Sequence, residues 1–195
     1  MKLVTDTLKI KVLDTILSNV RPQKGRRIGV EIETIFYDKN LGRLPVNPGN
    51  RFSSYDLMEG LLLFQKNKNN PCTYSLEPGG QLEWASSPFV SLHDISSQWD
   101  DHINQLEKLC RDNKIFPIDF AIDPLYSPVE IKLINMKKYH FMNETFRSAG
   151  THGPWMMKNS TSVQINIDMV SKRDGENMAF IADCLQPFCS FLFSH

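Results

Sequence analysis

Alternating apolar and polar positions along the chain predict the main β-strands. Residues 27–36 and 160–170 alternate, and side chains two apart in a strand point to the same face. Each of these strands is therefore expected to have one apolar face and one polar face. Shorter runs predict three further strands at residues 72–76, 81–85 and 115–122. Pro117 favours an edge or a bulge for the last of them, because proline cannot donate to a sheet ladder.

Helices are predicted where apolar residues recur every three or four positions. Ser53 with Asp56, and Ser91 with Asp94, have the spacing of helix N-terminal caps. The predicted helices cover residues 5–20, 53–65, from 91 through at least 109, 136–146 and 174–193. The apolar face expected for the helix after Ser91 consists of Leu92, Ile95, Trp99, Ile103, Leu106 and Leu109. Interleaved strands and helices without a regular βαβ order predict the α+β class, with a largely antiparallel sheet and flanking helices.

Composition excludes several classes of function. The 22 basic and 22 acidic side chains give a net charge of zero, without the basic surplus typical of nucleic-acid or membrane-surface binders. Hydrophobic residues make up 41% of the chain, which excludes disorder as its main state. No apolar run has the length of a membrane helix, and the first residues lack the features of a signal peptide. We therefore expect a cytoplasmic protein with reduced cysteines and with no nucleic-acid or membrane partner.

Carboxylates at period-two spacing are the first candidates for chemistry. Glu31 and Glu33 share one face of the predicted first strand. Glu83 follows a predicted type II turn centred on Pro78 and Gly79. Mg²⁺ prefers oxygen ligands and commonly bridges carboxylates to phosphates, so these segments could form a metal–phosphate site. A solvated sheet face and a hairpin with charged flanks are the structural alternatives.

A third polar strand face adds amide groups to this pattern. Gln164, Asn166 and Asp168 lie two apart in the predicted strand, and Lys158 with Asn159 precedes them and could meet an anion. Together the three faces would make a polar platform. The chain has no P-loop, no Rossmann glycine pattern and no zinc-protease or serine-hydrolase motif, so any use of ATP requires a different phosphate-binding arrangement.

Three of these segments resemble motifs of one enzyme family. The segments are RIGVEIE at residues 27–33, SLEPGGQLE at residues 75–83 and SVQINID at residues 162–168. They are similar in sequence and in order to motifs of the glutamate–cysteine ligase family of the plant and proteobacterial type. The second motif is highly specific, and the resemblance extends from about residue 26 to residue 193.

The resemblance implies a partial catalytic domain with a glutamine synthetase-like fold. It implies an N-terminal helix and linker at residues 1–24 and the N-terminal half of the catalytic domain at residues 25–195. The implied reaction uses ATP to join the γ-carboxylate of L-glutamate to the amine of L-cysteine through γ-glutamyl phosphate, the first step of glutathione synthesis. Mg²⁺ or Mn²⁺ would neutralise the phosphates.

Residue roles follow from the resemblance by position. The implied metal ligands are Glu31, Glu33, Glu77 and Glu83. The implied ATP- or phosphate-binding residues are Gln164 and Gln81, and the implied substrate-binding residues are Lys158 and Asn159. Plant-type members carry an arginine where this chain has Asn159. A related ligase with another amine acceptor is therefore an alternative, as is a catalytically silent nucleotide- or metal-binding or interaction module.

Family members continue well past the matched region, with further binding residues. We therefore expect this chain to lack ligase activity by itself. The apolar residues Phe188, Phe191, Leu192 and Phe193 close the predicted last helix. Exposed apolar groups promote association, so we also expect self-association or a second polypeptide that supplies the missing half.

Overall fold

The computed structural model describes residues 2–18, 20, 23–150 and 152–193. Its helices are α1 Lys2–Leu17, α2 Ser54–Leu63, α3 Leu92–Asn113, α4 Lys137–Ala149, α5 Gly153–Lys158 and α6 Lys172–Leu192. Its strands are β1 Ile28–Asp38, β2 Thr73–Leu76, β3 Leu82–Ala85, β4 Ile115–Ile118 and β5 Val163–Ile167. The predicted elements are present with shifted ends, and the short helix α5 was not predicted.

The five strands of the described part of the chain form one sheet with β1 at its centre. The strand order is β2-β3-β1-β4, and β5 also pairs with β1. The pairs β1–β3, β1–β4 and β2–β3 are antiparallel, which confirms the α+β class with a largely antiparallel sheet. Pro117 stands opposite Phe36 in β4, at the end of the strand order, as expected of a residue that cannot donate to a ladder.

Helices α2 and α3 cover the apolar side of the sheet. Ser53 begins α2 with the predicted capping box, in which its hydroxyl accepts from the Asp56 N–H and the Asp56 carboxylate accepts from the Ser53 N–H. This start aims Leu57 and Leu61 inward, where both are fully buried. The core also contains aromatic rings from β3 and α3 in direct contact.

The buried face of α3 agrees with the predicted apolar face in part, since Ile95 and Leu106 are buried. Leu92 is 64% exposed, whereas Gln98 and His102 are buried. The Gln98 amide accepts from one backbone N–H and donates to one backbone carbonyl. The His102 Nδ1 lies 3.0 Å from the Tyr74 hydroxyl. Polar side chains with partners can be buried at little penalty, so an assignment by hydrophobicity alone missed Gln98 and His102 and wrongly included Leu92.

The chain divides into two compact units. Gly29–Asn166 forms the unit that contains α2 to α5 and nearly all of the sheet. Met1–Ile28 and Ile167–His195 form the other, in which Arg26 pairs with Asp174 at 2.5 Å and Arg27 with Asp168 at 3.2 Å. The predicted division at residue 25 stays a prediction. Residue 19 of the predicted first helix and residues 21 and 22 of the predicted linker lie outside the described residues.

Apolar side chains of α1 and α6 are exposed. On α1, Leu8 and Ile16 are 61% and 54% exposed. On α6, Phe188 and Leu192 are each 66% exposed. Among the described residues, none of the helices combines the length and the apolar character needed to cross a membrane.

Candidate functional site

Three carboxylates project from one face of the sheet. Glu31 and Glu33 are two apart on β1, and the register sets Glu33 directly opposite Glu83 on β3. Leu82 and Trp84, which alternate with Glu83, are each 1% exposed on the opposite face. The alternation along β3 thus buries the apolar side chains and leaves Glu83 on the polar face beside Glu33, whereas the residues around Glu33 on β1 are all half-buried.

Neutral groups of the segment that contains β5 donate hydrogen bonds to the carboxylates of Glu31 and Glu33. Ser162 donates its N–H to Glu33 Oε2 at 3.0 Å and its hydroxyl to Glu33 Oε1 at 2.9 Å. The Gln164 amide lies 3.4 Å from the same Oε1. The Asn166 amide donates to Glu31 Oε1 at 2.9 Å. The predicted polar face of this strand therefore lines up with the carboxylates of β1.

The hairpin between β2 and β3 carries the fourth carboxylate, Glu77. The Glu77 N–H donates to the Gln81 carbonyl at 2.9 Å, and the Gly80 N–H donates to the Glu77 carbonyl at 2.8 Å. The positive φ of 81° belongs to Gly80, not to Gly79, so the predicted type II turn is wrong. The loop instead has no left-handed residue at its two central turn positions and has the left-handed Gly80 after them. This is a common form of three-residue hairpin loop.

The electrostatics of this face show that the carboxylates influence one another. Burial raises the pKa of Glu33, and repulsion from the neighbouring Glu83 raises it further. The hydrogen bonds from Ser162 lower it, but the net shift is upward. Burial also raises the pKa of Glu77, followed by repulsion from Glu33 and Glu83, while the ammonium group of Lys138 lowers it. Repulsion among the carboxylates is therefore only partly offset by groups of the protein.

The donor set fits a hard divalent cation, because carboxylate and amide oxygens are the ligands that Mg²⁺ prefers. Among the described residues, no group of three or more His, Cys, Asp or Glu side chains is arranged to hold a metal ion as it stands. Glu31, Glu33 and Glu83 accept hydrogen bonds from separate neighbours instead, and the Ser75 hydroxyl donates to Glu83 at 2.6 Å. The metal role of Glu31, Glu33, Glu77 and Glu83 stays a prediction, and metal binding would require these side chains to exchange partners.

Gln81 lies beneath the hairpin and is only 1% exposed. Its Oε1 accepts from the Gly79 N–H at 3.1 Å, and its Nε2 donates to the carbonyls of Ser160 at 2.9 Å and Met157 at 3.3 Å. A Cβ added at Gly79 would lie 2.4 Å from the Lys158 carbonyl oxygen, so glycine permits this close approach of the hairpin to α5. The Gln81 amide is occupied within the fold, and its phosphate-binding role stays a prediction, as does that of Gln164.

Lys158 and Asn159 are buried at the end of α5. The Lys158 ammonium group donates to the Ile131 carbonyl at 2.9 Å, and burial lowers its pKa. The Asn159 amide donates to the Tyr126 carbonyl at 2.6 Å. Both side chains are engaged with backbone carbonyls rather than with the carboxylates of the sheet face. Their predicted role in substrate binding stays a prediction.

Three contributors to this face were not assigned a role from the sequence: Ser75, Ser162 and Lys138. The two serines could have been found, because Ser75 is two residues before Glu77 and Ser162 is two residues before Gln164. Lys138 gives no such signal, because it comes from α4, which is distant in sequence from the carboxylates it influences.

Comparison with known proteins identifies related sequences. The model of glutamate–cysteine ligase family 2 matches residues 27–188. A chloroplastic glutamate–cysteine ligase of Medicago truncatula is 24% identical over 196 residues, covering 96% of this chain and 38% of the relative. The Arabidopsis thaliana enzyme of the same name is 25% identical over 189 residues, covering 92% of this chain and 36% of the relative. The chain therefore spans less than two fifths of the length of these relatives.

Proposed function

Because the chain belongs to glutamate–cysteine ligase family 2, we propose that it carries the metal–phosphate part of an ATP-dependent carboxylate–amine ligase site. In the proposed reaction, an oxygen of the glutamate γ-carboxylate attacks the γ-phosphorus of ATP, and ADP leaves. The amine of cysteine then attacks the acyl carbon of γ-glutamyl phosphate, phosphate leaves, and the amine loses a proton. The product would be γ-glutamylcysteine, the precursor of glutathione.

The observation that carries this proposal is the group of like charges on the sheet face. Glu33 and Glu83 stand opposite each other in the register, and both raise the pKa of Glu77. Like charges directly opposite each other destabilise a sheet. A divalent cation would relieve that repulsion, and it would also allow the phosphates of ATP to approach a face that otherwise repels them.

The residues of this face would have different roles in the proposed reaction. Glu31, Glu33, Glu77 and Glu83 would hold Mg²⁺ or Mn²⁺, which supplies charge neutralisation of the phosphates. The hydroxyls of Ser75 and Ser162 orient the carboxylates by the hydrogen bonds described above. Gln164, whose amide reaches both Glu33 and Ser162, is proposed to turn that amide toward a phosphate oxygen.

A related ligase with another amine acceptor is the second candidate. Lys158 and Asn159, the residues assigned to the substrate by resemblance, are buried and bonded to backbone carbonyls. Recognition of the acceptor would then fall to groups elsewhere. The glutamine synthetase-like fold, the cytoplasmic location, and a second polypeptide or further segment that completes the site are also proposals.

Calorimetric titration of ATP into the protein tests the proposed site. Binding is expected in the presence of Mg²⁺ and is expected to be lost in excess chelator, because the phosphates would meet uncompensated carboxylates. Glu83→Gln removes one charge but keeps a group that can accept the Ser75 hydrogen bond. We expect it to weaken Mg·ATP binding by about tenfold or more, equivalent to about 1.4 kcal/mol.

Glu107→Gln is the matched control, because Glu107 is an exposed carboxylate of α3 that pairs with Arg111 at 3.4 Å. It should bind Mg·ATP like the unaltered protein. Glu107→Gln should keep its stability to within about 0.5 kcal/mol, as is usual for exposed positions, and Glu83→Gln should not lower stability, because it removes a like charge opposite Glu33. ATP binding of equal strength in chelator would reject the proposed site, and so would equal Mg·ATP affinities of the two variants.

A further inference from the structure

A single buried guanidinium joins the hairpin that carries Glu77 to the end of α5. The Arg43 side chain is 7% exposed and forms an ion pair with Asp123 through Nη1. Its Nη2 donates to the Gly79 carbonyl at 3.1 Å and to the Lys158 carbonyl at 2.9 Å. Arg43 therefore contacts the backbone of two segments that are far apart in sequence.

The partner of Arg43 is itself held from several sides. Asp123 Oδ1 accepts from the Tyr37 hydroxyl at 2.5 Å and from the N–H groups of Leu125 at 3.0 Å and Tyr126 at 2.9 Å. Burial acts to raise the pKa of Asp123, but these bonds together with that of Arg43 keep it below its ordinary value. Arg43 also forms a β-bridge with Tyr37 of β1. Both ends of the ion pair are therefore anchored to the sheet or to its neighbouring loop.

The hairpin between β2 and β3 packs closely against the end of α5. Gly79 is so close to Lys158 that a Cβ would overlap its backbone, and the Gln81 amide reaches the Ser160 carbonyl at 2.9 Å. Arg43 is the charged member of this set of contacts. A planar guanidinium can donate in several directions at once, which a lysine ammonium at the end of a flexible chain does not reproduce.

We propose that Arg43 is a positioning residue that sets the Glu77 carboxylate toward Glu33 and Glu83 by fixing the hairpin against α5. The proposal rests on the proposed function, since Glu77 belongs to the proposed metal–phosphate set. Arg43 itself contacts the hairpin through the Gly79 carbonyl and acts on Glu77 only through the turn. Loss of the two hydrogen bonds from Arg43 Nη2 should loosen the turn and lower the affinity for Mg·ATP, while the rest of the sheet remains folded.

Arg43→Lys tests the proposal with two measurements on the whole chain. Amide hydrogen exchange of Gly80, whose N–H bonds to the Glu77 carbonyl, should accelerate by about tenfold or more beyond any acceleration at Leu61 in α2, a buried residue whose exchange reports global unfolding. Calorimetry should find Mg·ATP binding weaker by about tenfold. Arg51→Lys is the matched control on the same loop, because Arg51 is exposed and pairs with Asp38 at 2.5 Å.

Ile95→Val separates the proposed positioning role of Arg43 from a general loss of stability. It removes one buried methylene from α3 and lowers stability without touching the hairpin. This variant should bind Mg·ATP like the unaltered protein. Unchanged Gly80 exchange in Arg43→Lys would overturn the inference, as would faster exchange with unchanged Mg·ATP affinity. Absence of Mg·ATP binding by the unaltered protein would instead reject the proposed function, and the exchange measurement would still decide whether Arg43 holds the turn. If Arg43→Lys does not fold, Asp123→Asn removes the charged partner and should give the same two changes.

Discussion

Lowering the pH should destabilise the protein through His102, a buried histidine of α3. Its ring stacks on Trp84 with centroids 5.7 Å apart and lies 5.0 Å from that of Trp99. Burial lowers the pKa of His102 from 6.5 to about 4. The neutral imidazole is therefore the form that the folded protein accommodates at neutral pH.

The magnitude follows from the difference between the folded and unfolded pKa values of His102. Between pH 6.5 and pH 4, the unfolded chain binds a proton that the folded protein does not, so stability falls as the pH falls through this window. The full difference corresponds to about 3 kcal/mol, and about 2 kcal/mol of it should be lost by pH 5. The raised pKa values of Glu33 and Glu77 act in the opposite direction, because there the folded state gains protons first.

Urea denaturation at pH 7.5, 6.5, 5.5 and 5 measures this effect by comparison with a variant. His102→Gln keeps a hydrogen-bonding group near Tyr74 but cannot be protonated, so it should lose about 2 kcal/mol less than the unaltered protein between pH 7.5 and 5. His93→Gln, at an exposed histidine of the same helix, should follow the unaltered protein. Equal losses in the unaltered protein and His102→Gln would refute the reasoning, as would an NMR titration of the His102 ring near pH 6.5.

Two further substitutions probe the packing of the hairpin and the start of α2. Gly79→Ala places a methyl group against the Lys158 backbone and should destabilise the protein by about 1–3 kcal/mol in urea denaturation and weaken Mg·ATP binding. Gly49→Ala is the control, because a Cβ at Gly49 would meet no atom within 4 Å, and it should change stability by less than about 0.5 kcal/mol. Equal stabilities of the Gly79→Ala and Gly49→Ala variants would contradict the overlap at Gly79. Ser53→Ala removes the cap that pairs with Asp56 and should lower stability by about 1 kcal/mol in thermal denaturation, whereas an unchanged midpoint would show that the cap contributes nothing.

Local pattern was sufficient wherever neighbouring residues determine the structure. The alternation around Glu31 and Glu33 predicted both the strand and its polar face, because the side-chain period of a strand is fixed by backbone geometry. The pair Ser53 and Asp56 predicted the start of α2, because both bonds of a capping box form within four residues. The resemblance to the ligase family likewise rested on contiguous motifs and agrees with the family match over residues 27–188.

Features that depend on distant partners could not be predicted in this way. His102 is buried because Tyr74 and two tryptophan rings meet it, and no spacing within α3 indicates this. Lys158 is bonded to the Ile131 carbonyl, 27 residues away in sequence, although its place before β5 suggested an anion site. The left-handed residue of the hairpin is Gly80 rather than Gly79, because the hydrogen bonds between Glu77, Gly80 and Gln81 close the loop in this way.

The contrast between the two sides of the Glu77 hairpin bears on what the sheet face is for. Beneath the turn, the charges of Arg43 and Asp123 are paired, and the remaining Asp123 oxygen, Oδ1, accepts from nearby donors. On the face above, Glu33 is bonded to neutral groups of the β5 segment and stands opposite Glu83. A face selected for stability alone would set lysine or arginine against these carboxylates, since opposite-charge pairs across strands stabilise a sheet and like-charge pairs destabilise it. A face that retains this repulsion above a neutralised ion pair is the arrangement expected where the compensating charge comes from a bound cation, which supports the proposed metal–phosphate role.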